Sequence, residues 1–150
     1  MILAIIGFLL VLDQFTKSLI LKKLTWGQSL PVITNIFHLT LVSNKGSAFG
    51  ILRGTSAIFI IISFLLIIFI ILSLKKRSGY FSLKSVRFAF ALILSGALGN
   101  LIDRIRFGYV VDFLDFRIWP VFNLADSAIT IGAVLLGFLI LKSNKEKKQN

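Results

Sequence analysis

Acidic residues are scarce in this 150-residue chain, and most of them lie close together in the sequence. The chain has six Asp and Glu residues. Four of them fall within one short stretch: Asp103, Asp112, Asp115 and Asp126. Carboxyl groups can donate or accept protons in a reaction, and acids in or beside long apolar segments are candidates for function because burying them is costly. This stretch is therefore the first candidate for a site.

The composition excludes several other catalytic chemistries. The chain has no cysteine, so a thiolate nucleophile and a disulfide are both excluded. His38 is the single histidine, which makes a histidine metal cluster implausible. Ser43, Ser47 and Ser95 have no neighbouring base that would activate them as nucleophiles. We therefore expect chemistry that needs neither a metal nor a cofactor.

The apolar composition predicts an integral membrane protein. Hydrophobic residues make up 57% of the chain, against about 45–50% in a soluble domain. A spanning helix needs about 20 mostly apolar residues. Four segments meet this length, at about residues 2–21, 55–74, 87–105 and 123–141. The first has no basic start and no convincing cleavage site, so we interpret it as a retained helix and not a signal peptide.

The basic residues predict the orientation. The segment 75–86 is the most basic connection, and Lys and Arg are enriched in cytoplasmic loops. This places both termini and the tail 142–150 in the cytoplasm, and the segments 22–54 and 106–122 outside. The net charge of +11 does not indicate nucleic-acid binding, because the basic residues flank apolar spans instead of forming a basic domain.

The outer segments contain strand-like patterns. Phe37, Leu39 and Leu41 alternate with polar residues, which is the two-residue period of a strand. Pro31 before this run is a turn signal, and residues 110–116 also favour a strand. The predicted fold is a membrane all-α protein: a bundle of four transmembrane helices with a small extracytoplasmic β-sheet, in a single domain of residues 1–150.

Three of the predicted helices place polar residues at one depth. With a rise of about 1.5 Å per residue, Asp103 lies roughly 24 Å above the inner end of its helix. Asp126 and Lys17 lie roughly 22 Å above the inner ends of theirs. The hydrocarbon core is about 30 Å thick, so all three residues lie near the outer interface. The polar residues of three helices are therefore gathered at one face of the membrane.

Each of these polar residues also has a structural interpretation. Asp13 and Lys17 are four residues apart and could simply pair on one helix face. Asp103 could be an anchor at a helix end. Asn123, followed three residues later by Asp126, could serve simply to cap the last helix, without a role in chemistry.

The residues of the outer segments have structural alternatives as well. Asp112 and Asp115 could be ordinary surface acids. His38 lies on a predicted strand, where a role at the surface or in the sheet is favoured over catalysis. The residues alone do not select Asp112 over Asp115 or Asp103 as a reacting group.

Five motifs in chain order resemble those of the lipoprotein signal peptidases (signal peptidase II), a family of bacterial membrane aspartic peptidases. They are Asp13-Gln-Phe-Thr-Lys17, Asn44-Lys-Gly-Ser-Ala-Phe-Gly50, Gly96-Ala-Leu-Gly-Asn-Leu-Ile-Asp-Arg104, Val110-Val-Asp-Phe113 and Phe122-Asn-Leu-Ala-Asp-Ser127. Together they extend from the first helix into the fourth. The sequence departs from the family pattern at Ser95, where glycine is usual, and at Ser47, where alanine is usual.

The resemblance implies specific roles for residues in these motifs. Asp112 and Asp126 would be the catalytic pair. The residues implied to shape and support the site are Asn44, Gly46, Asn100, Asp103, Arg104 and Asn123, with Asp13 and Lys17 contributing from the first helix. Trp26 and Trp119 are plausible interface anchors, and Phe49 is a plausible part of a cover over the substrate.

The resemblance also implies a substrate and a mechanism. The substrate would be a diacylglyceryl-prolipoprotein, cleaved on the amino side of its lipidated cysteine. Two carboxyls that share a site hold a single proton between them, so the ionised one would activate a water molecule and the protonated one would bind the scissile carbonyl. We expect a monomer in the bacterial cytoplasmic membrane, in contact with lipid and sensitive to globomycin, with its active site on the extracytoplasmic side.

Three other functions remain open at this point. A small membrane channel or proton-coupled transporter also places acids in a helix bundle, although polar residues would then be expected along a continuous path. A membrane-anchored assembly protein could carry the acids only as capping groups. A different intramembrane aspartic protease is disfavoured, because the chain has no Gly-x-Gly-Asp motif.

Overall fold

The computed structural model describes residues 2–46, 56–76 and 79–149 of the chain. Within these residues the protein forms four α-helices, three β-strands and a short 3-10 turn at Tyr80–Ser82. The helices are α1 (Ile2–Lys23), α2 (Ser56–Lys75), α3 (Lys84–Phe107) and α4 (Leu124–Gln149). The strands are β1 (Ser29–Ile33), β2 (Phe37–Asn44) and β3 (Val110–Asp115). All four helices are long and apolar enough to cross a membrane, which confirms the predicted architecture of four helices and a small sheet.

Two helices extend beyond the bounds expected from their apolar runs. α3 begins at Lys84 and ends at Phe107, where Gly108 adopts a left-handed conformation (φ 77°) and donates its N–H to the carbonyl of Arg104. Glycine accepts this conformation without a steric penalty. α4 continues to Gln149, so most of the predicted tail is helical. No glycine or proline follows Gly137 to interrupt it.

α3 is the central helix of the bundle. In an apolar stretch of 18 residues of α3, 67% of the residues are buried, whereas the matching stretches of the other three helices are 17% buried or less. Small residues on α3 let its neighbours approach closely. A Cβ atom on Gly96 would collide with the carbonyl oxygen of Ala125 in α4, and one on Gly99 would lie 2.6 Å from Oδ2 of Asp13 in α1. Both α1 and α4 therefore approach α3 closely at the level of its polar residues.

The three strands form an antiparallel sheet in the order β1-β2-β3. β1 was not predicted, because Pro31 was interpreted as a turn signal. It lies within β1, at the edge of the sheet, where a strand tolerates proline because one side has no hydrogen-bonding partner. In the centre, β2 pairs with β3 so that Val42 is opposite Asp112.

The sheet packs against the end of α1. Ile20 and Leu24 from this region form a buried apolar cluster with Leu41, Val111 and Phe113 of the sheet. β3 follows α3 after only two residues, Gly108 and Tyr109. The position of Asp112 is therefore tied to both α1 and α3.

Candidate active site

Asp112 of β3 and Asp126 of α4 meet at Asn123. The side-chain amide of Asn123 donates to Oδ1 of Asp112 at 2.7 Å, and its backbone N–H donates to Oδ2 of Asp126 at 3.3 Å. Asp112 is only 1% exposed. The two carboxyls are therefore within hydrogen-bonding reach of the same asparagine.

Asn123 also begins α4. Its Oδ1 accepts the N–H of Asp126 at 2.8 Å, while Oδ2 of Asp126 accepts the N–H of Asn123. This reciprocal arrangement is a capping box, which satisfies free backbone donors at the start of a helix. The predicted capping role is confirmed. It coexists with the contact to Asp112, because the cap uses the carbonyl oxygen of the side chain and the contact uses its amide.

A second asparagine donates to each carboxyl group. Asn44 Nδ2 donates to Oδ2 of Asp112 at 2.9 Å, and Asn100 Nδ2 donates to Oδ1 of Asp126 at 2.8 Å. The N–H of Gly46 donates to Oδ1 of Asn44 at 3.0 Å and so directs the amide of Asn44 toward Asp112. Each carboxyl accepts two hydrogen bonds, which fixes the orientation of both groups.

Lys17 joins three buried side chains beneath the pair. Its Nζ lies 2.9 Å from Oδ2 of Asp13 and 2.9 Å from Oδ2 of Asp103, and it donates to Oδ1 of Asn100 at 3.1 Å. These four residues are each 5% exposed or less. The predicted pairing of Asp13 with Lys17 is confirmed, and Lys17 and Asp103, which the sequence places at one depth, are in contact.

The two acids bound to Lys17 also hold the backbone next to the pair. Oδ1 of Asp13 accepts the N–H of Ala125 at 3.0 Å, and Oδ2 of Asp103 accepts the N–H of Val111 at 3.1 Å. Ala125 directly precedes Asp126, and Val111 directly precedes Asp112. Asp103 was interpreted from the sequence as a helix-end anchor; in the structure it holds the backbone at the start of β3.

Sequence reasoning missed Gln14 as part of this network. Its amide donates to Oδ1 of Asp103 at 3.0 Å and to the carbonyl of Gly99 at 3.2 Å. The available signal was an uncharged polar side chain in an otherwise apolar run, next to Asp13. Gln14 therefore adds a further link between α1 and α3.

The interpretation of Asp112 and Asp115 as surface acids was wrong, since they are 1% and 5% exposed. Burial, followed by the negative charge of Asp126, raises the pKa of Asp112 to about 7, against the lowering effect of the hydrogen bonds from Asn44 and Asn123 and of the charge of Lys17. A carboxyl with such a pKa can hold a proton at neutral pH.

A cavity of about 710 Å³ opens beside Asp126. Polar groups from Asn44, Gly46 and Arg104 line its part near the acids. The guanidinium of Arg104 lies over the ring of Phe59, 5.1 Å from its centroid. The other described residues of the wall are mostly apolar: Phe116, Ile118, Trp119, Pro120, Val121, Phe122, Ser127, Ile129, Thr130 and Ile131. Ser47 and Phe49 lie outside the described residues.

His38 lies away from this cavity, on β2. Its Nδ1 is 3.0 Å from Oγ of Ser29 on β1, so the predicted role in the sheet is confirmed. Among the side chains that the structure describes, no three His, Asp or Glu residues come together in a way that could hold a metal ion.

Comparisons with known proteins agree on one family. A family model described as signal peptidase (SPase) II matches residues 5–142. The chain is 48% identical to a lipoprotein signal peptidase of Halothermothrix orenii, over 97% of this chain and 98% of that one. It is 45% identical to a lipoprotein signal peptidase of Clostridioides difficile, over 91% and 92% of the two chains. A solved bacterial membrane enzyme superposes with a TM-score of 0.90 at 36% identity, covering 99% of this chain and 92% of that one.

Proposed function

This chain belongs to the signal peptidase II family, and from that premise we propose that Asp112 and Asp126 are its catalytic pair. The protein is a multi-pass membrane peptidase that removes signal peptides from prolipoproteins. The channel, transporter and assembly alternatives have no support. The observation that carries the assignment of the pair is Asn123, which hydrogen-bonds both carboxyls.

The proposed reaction uses one proton shared by the two acids. Two carboxyls in one site do not both ionise easily, so the pair retains a single proton. The ionised group removes a proton from a water molecule, and the water attacks the scissile carbonyl. The protonated group donates to the carbonyl oxygen and stabilises the developing oxyanion. We do not assign the proton to one residue, because each carboxyl accepts two hydrogen bonds from neighbouring groups.

The supporting residues have separate tasks in this proposal. Asn44 and Asn100 orient the two carboxyls. Asp103 and Asp13, joined by Lys17, hold the backbone before Asp112 and Asp126. Arg104 lines the cavity within the electrostatic reach of the pair, where it can bind the peptide of the substrate.

The proposed substrate is a diacylglyceryl-prolipoprotein, cleaved on the amino side of its lipidated cysteine. The cavity beside Asp126 combines a polar end at the acids with a long apolar wall. This suits a peptide bond that must reach water and acids while its attached acyl chains stay in an apolar environment.

We also propose how the protein is oriented in the membrane and that it is a monomer. The basic residues of the segment 75–86 and of the tail favour a cytoplasmic location for both termini, which puts the sheet and the acids on the extracytoplasmic side of the bacterial cell membrane. Trp26 and Trp119, 50% and 62% exposed, suit anchoring at that interface. All the site side chains among the described residues come from one chain, which supports our proposal of a single domain of residues 1–150 that acts as a monomer.

The test is cleavage of a lipidated prolipoprotein by the purified protein, followed by gel shift. Asp112→Asn and Asp126→Asn should each abolish cleavage, while Glu146→Gln, a matched change in the last turns of α4, should not. Equal amounts of folded protein are compared, with thermal unfolding as the check. If either aspartate variant cleaved at the wild-type rate, the assignment of the pair would be wrong. Inhibition by globomycin is expected as a supporting result.

A further inference from the structure

Asp115 is a buried acid that the proposed reaction does not use. It ends β3 and is 5% exposed. Side chains alternate between the two faces of a strand, so Asp115, three residues after Asp112, points to the opposite face. A buried carboxylate needs hydrogen-bond donors around it. The donors that surround Asp115 therefore indicate what it holds in place.

The carboxyl of Asp115 joins β2 to the segment that follows β3. Oδ2 accepts the hydroxyl of Thr40 at 2.7 Å, and Oδ1 accepts the backbone N–H of Arg117 at 2.8 Å. Burial raises the pKa of Asp115, but the hydrogen bonds from Thr40 and Arg117 outweigh it and bring the pKa below its usual value. The group is therefore an ionised acceptor at neutral pH. The side chain of Arg117 is half exposed, so its ion pair with Asp115 contributes less than the backbone contact.

Arg117 is the centre of a strained turn. The N–H of Ile118 donates to the carbonyl of Phe116 at 2.8 Å, which closes a three-residue turn. Arg117 has φ 67°, a left-handed conformation that is unfavourable for a residue with a side chain. This sign of φ belongs to the rarer and strained form of such a turn. Strained backbone persists only where its surroundings impose it, and the hydrogen bond to Asp115 does so here.

The turn carries three apolar side chains along the wall of the cavity beside Asp126. We call Phe116, Ile118 and Trp119 the rim; all three line that cavity. Phe116 is held by ring contacts with Phe37 and Phe122, at 4.9 and 5.9 Å between centroids. Ile118 is 93% exposed and Trp119 62% exposed. Apolar side chains that are exposed together beside a site mark a surface for an apolar ligand.

We propose that Asp115 is a positioning residue that holds the rim against the apolar part of the substrate, namely an acyl chain of its lipidated cysteine. The inference rests on the proposed function and adds a binding surface for the lipid to it. Asp115 touches neither the peptide nor the water in this proposal. It acts through the turn at Arg117, on the face of the sheet opposite to Asp112.

An acyl chain suits the rim better than a polar ligand does. The rim contributes ring and aliphatic surface, and Phe59, Ile129 and Ile131 also line the cavity. The lipidated residue directly follows the scissile bond in the proposed substrate, so its chains must leave the acids along this cavity. Each buried methylene is worth a factor of about four in affinity, which makes the length of the chain a direct probe of the contact.

The first test measures KM and kcat for prolipoprotein peptides with short and long acyl chains. In the wild type KM should fall as the chains lengthen. Asp115→Ala should raise KM about tenfold for the long-chain substrate and flatten this dependence, while kcat changes less than twofold. Thr40→Val keeps the contact of Asp115 with Arg117 and should have a smaller effect. A parallel loss of kcat at every chain length, or an unchanged KM, would overturn the proposal.

The second test addresses the rim directly, in case Asp115→Ala does not fold. Ile118→Ser should flatten the dependence on chain length in the same way. Ile36→Ser is the matched control, because Ile36 is an exposed isoleucine in the turn between β1 and β2 and does not line the cavity. Equal behaviour of the two variants would contradict the proposal. If Ile118→Ser instead changed the preference for apolar residues before the scissile bond, the signal peptide and not the acyl chain would occupy the rim.

A binding measurement separates this proposal from that of the catalytic pair. In a Trp26→Phe background Trp119 is the only tryptophan, and a substrate with brominated acyl chains should quench its fluorescence. The measurement uses Asp112→Asn protein, so it needs no cleavage. If Asp115→Ala weakens this quenching, the result supports acyl-chain binding at the rim, even if Asp112 proves dispensable for catalysis. Absence of quenching would reject the rim even if the pair is correct.

Discussion

The side-chain amide of Asn123 donates to Oδ1 of Asp112 at 2.7 Å, which ties the first residue before α4 to the middle of β3. The same side chain also caps the helix, because its Oδ1 accepts the backbone N–H of Asp126. One residue therefore sets the start of the helix and the distance between the two acids. The two tasks can be separated by mutation, because they use different atoms.

Replacing Asn123 by serine or by alanine separates capping from catalysis. Serine caps helices about as well as asparagine, whereas alanine loses about 1 kcal/mol. Neither side chain reaches Asp112. We expect Asn123→Ser to be about 1 kcal/mol more stable than Asn123→Ala, while cleavage by both falls about 100-fold because the acids lose their relative position. Thermal unfolding in detergent and the cleavage rate measure the two effects. A Ser variant with wild-type cleavage would show that the contact with Asp112 is dispensable.

The pKa of Asp112 predicts the alkaline limit of activity. Since the pKa of Asp112 is raised to about 7, the pair can hold its single proton below this pH, whichever of the two carboxyls carries it. As the pH rises through this value the pair loses that proton, and in the proposed reaction no donor then remains for the scissile carbonyl. We therefore expect kcat/KM to fall with an apparent pKa near 7, and a rate that stays constant to pH 9 would contradict this.

Asn44→Ala should move this limit upward. The amide of Asn44 donates to Asp112 and stabilises its charged form, which lowers the pKa. A hydrogen bond to a charged group is worth about 1.5–3 kcal/mol, and about 1.4 kcal/mol corresponds to one pH unit. The alkaline limb should therefore shift up by about one to two pH units. Asn35→Gly, in the turn between β1 and β2, is the control and should leave the profile unchanged. A downward shift in Asn44→Ala would refute the assigned direction.

The helices, and the depth of the polar residues along them, could be predicted because both follow from local rules. An apolar run of spanning length predicts a helix in any context, and a constant rise converts sequence position into depth. This counting places Lys17 and Asp103 at one depth, and the structure brings them into contact although 86 positions separate them in the chain. Capping by Asn123 is equally local, since it depends on residues within one turn.

The outer segments were harder to predict, because burial there depends on pairing between distant strands. Asp115 has the sequence context of a surface acid, and only the pairing of β2 with β3 brings Thr40 to it. Pro31 illustrates the same limit: proline ends most strands, but at the edge of a sheet it is tolerated. The choice of Asp112 over Asp115 also depends on the face of β3, which no local pattern specifies.

Lys17→Met should lower the stability of the protein more than the substitution of an exposed residue does. Its ammonium pairs with Asp13 and Asp103, all three being buried, and its loss leaves two carboxylates without a cation. Breaking a buried ion pair costs about 3–5 kcal/mol. Adding Asp103→Asn to Lys17→Met removes one of the unpaired charges and should recover part of the loss. Denaturation in detergent measures both variants.

Arg117→Ala is the control for this comparison. The side chain of Arg117 is half exposed in its pair with Asp115, and exposed pairs contribute about 1 kcal/mol or less. Equal destabilisation by Lys17→Met and Arg117→Ala would mean that the buried network does not hold the fold together.

A methyl group at Gly99 should disturb the site from within α3. The added Cβ would lie 2.6 Å from Oδ2 of Asp13, and Asp13 is held by Lys17 and by the N–H of Ala125. Overpacking of this kind costs about 1–3 kcal/mol, and a displaced Asp13 releases the backbone before Asp126. Gly137→Ala is the matched control, because its Cβ would have no neighbour within 4 Å and alanine favours a helix by about 1 kcal/mol. We expect Gly99→Ala to lose both stability and cleavage while Gly137→Ala keeps both, as measured by unfolding in detergent and by processing of the lipidated precursor. Identical results for the two glycines would show that Asp13 has room to move and that α4 does not depend on it.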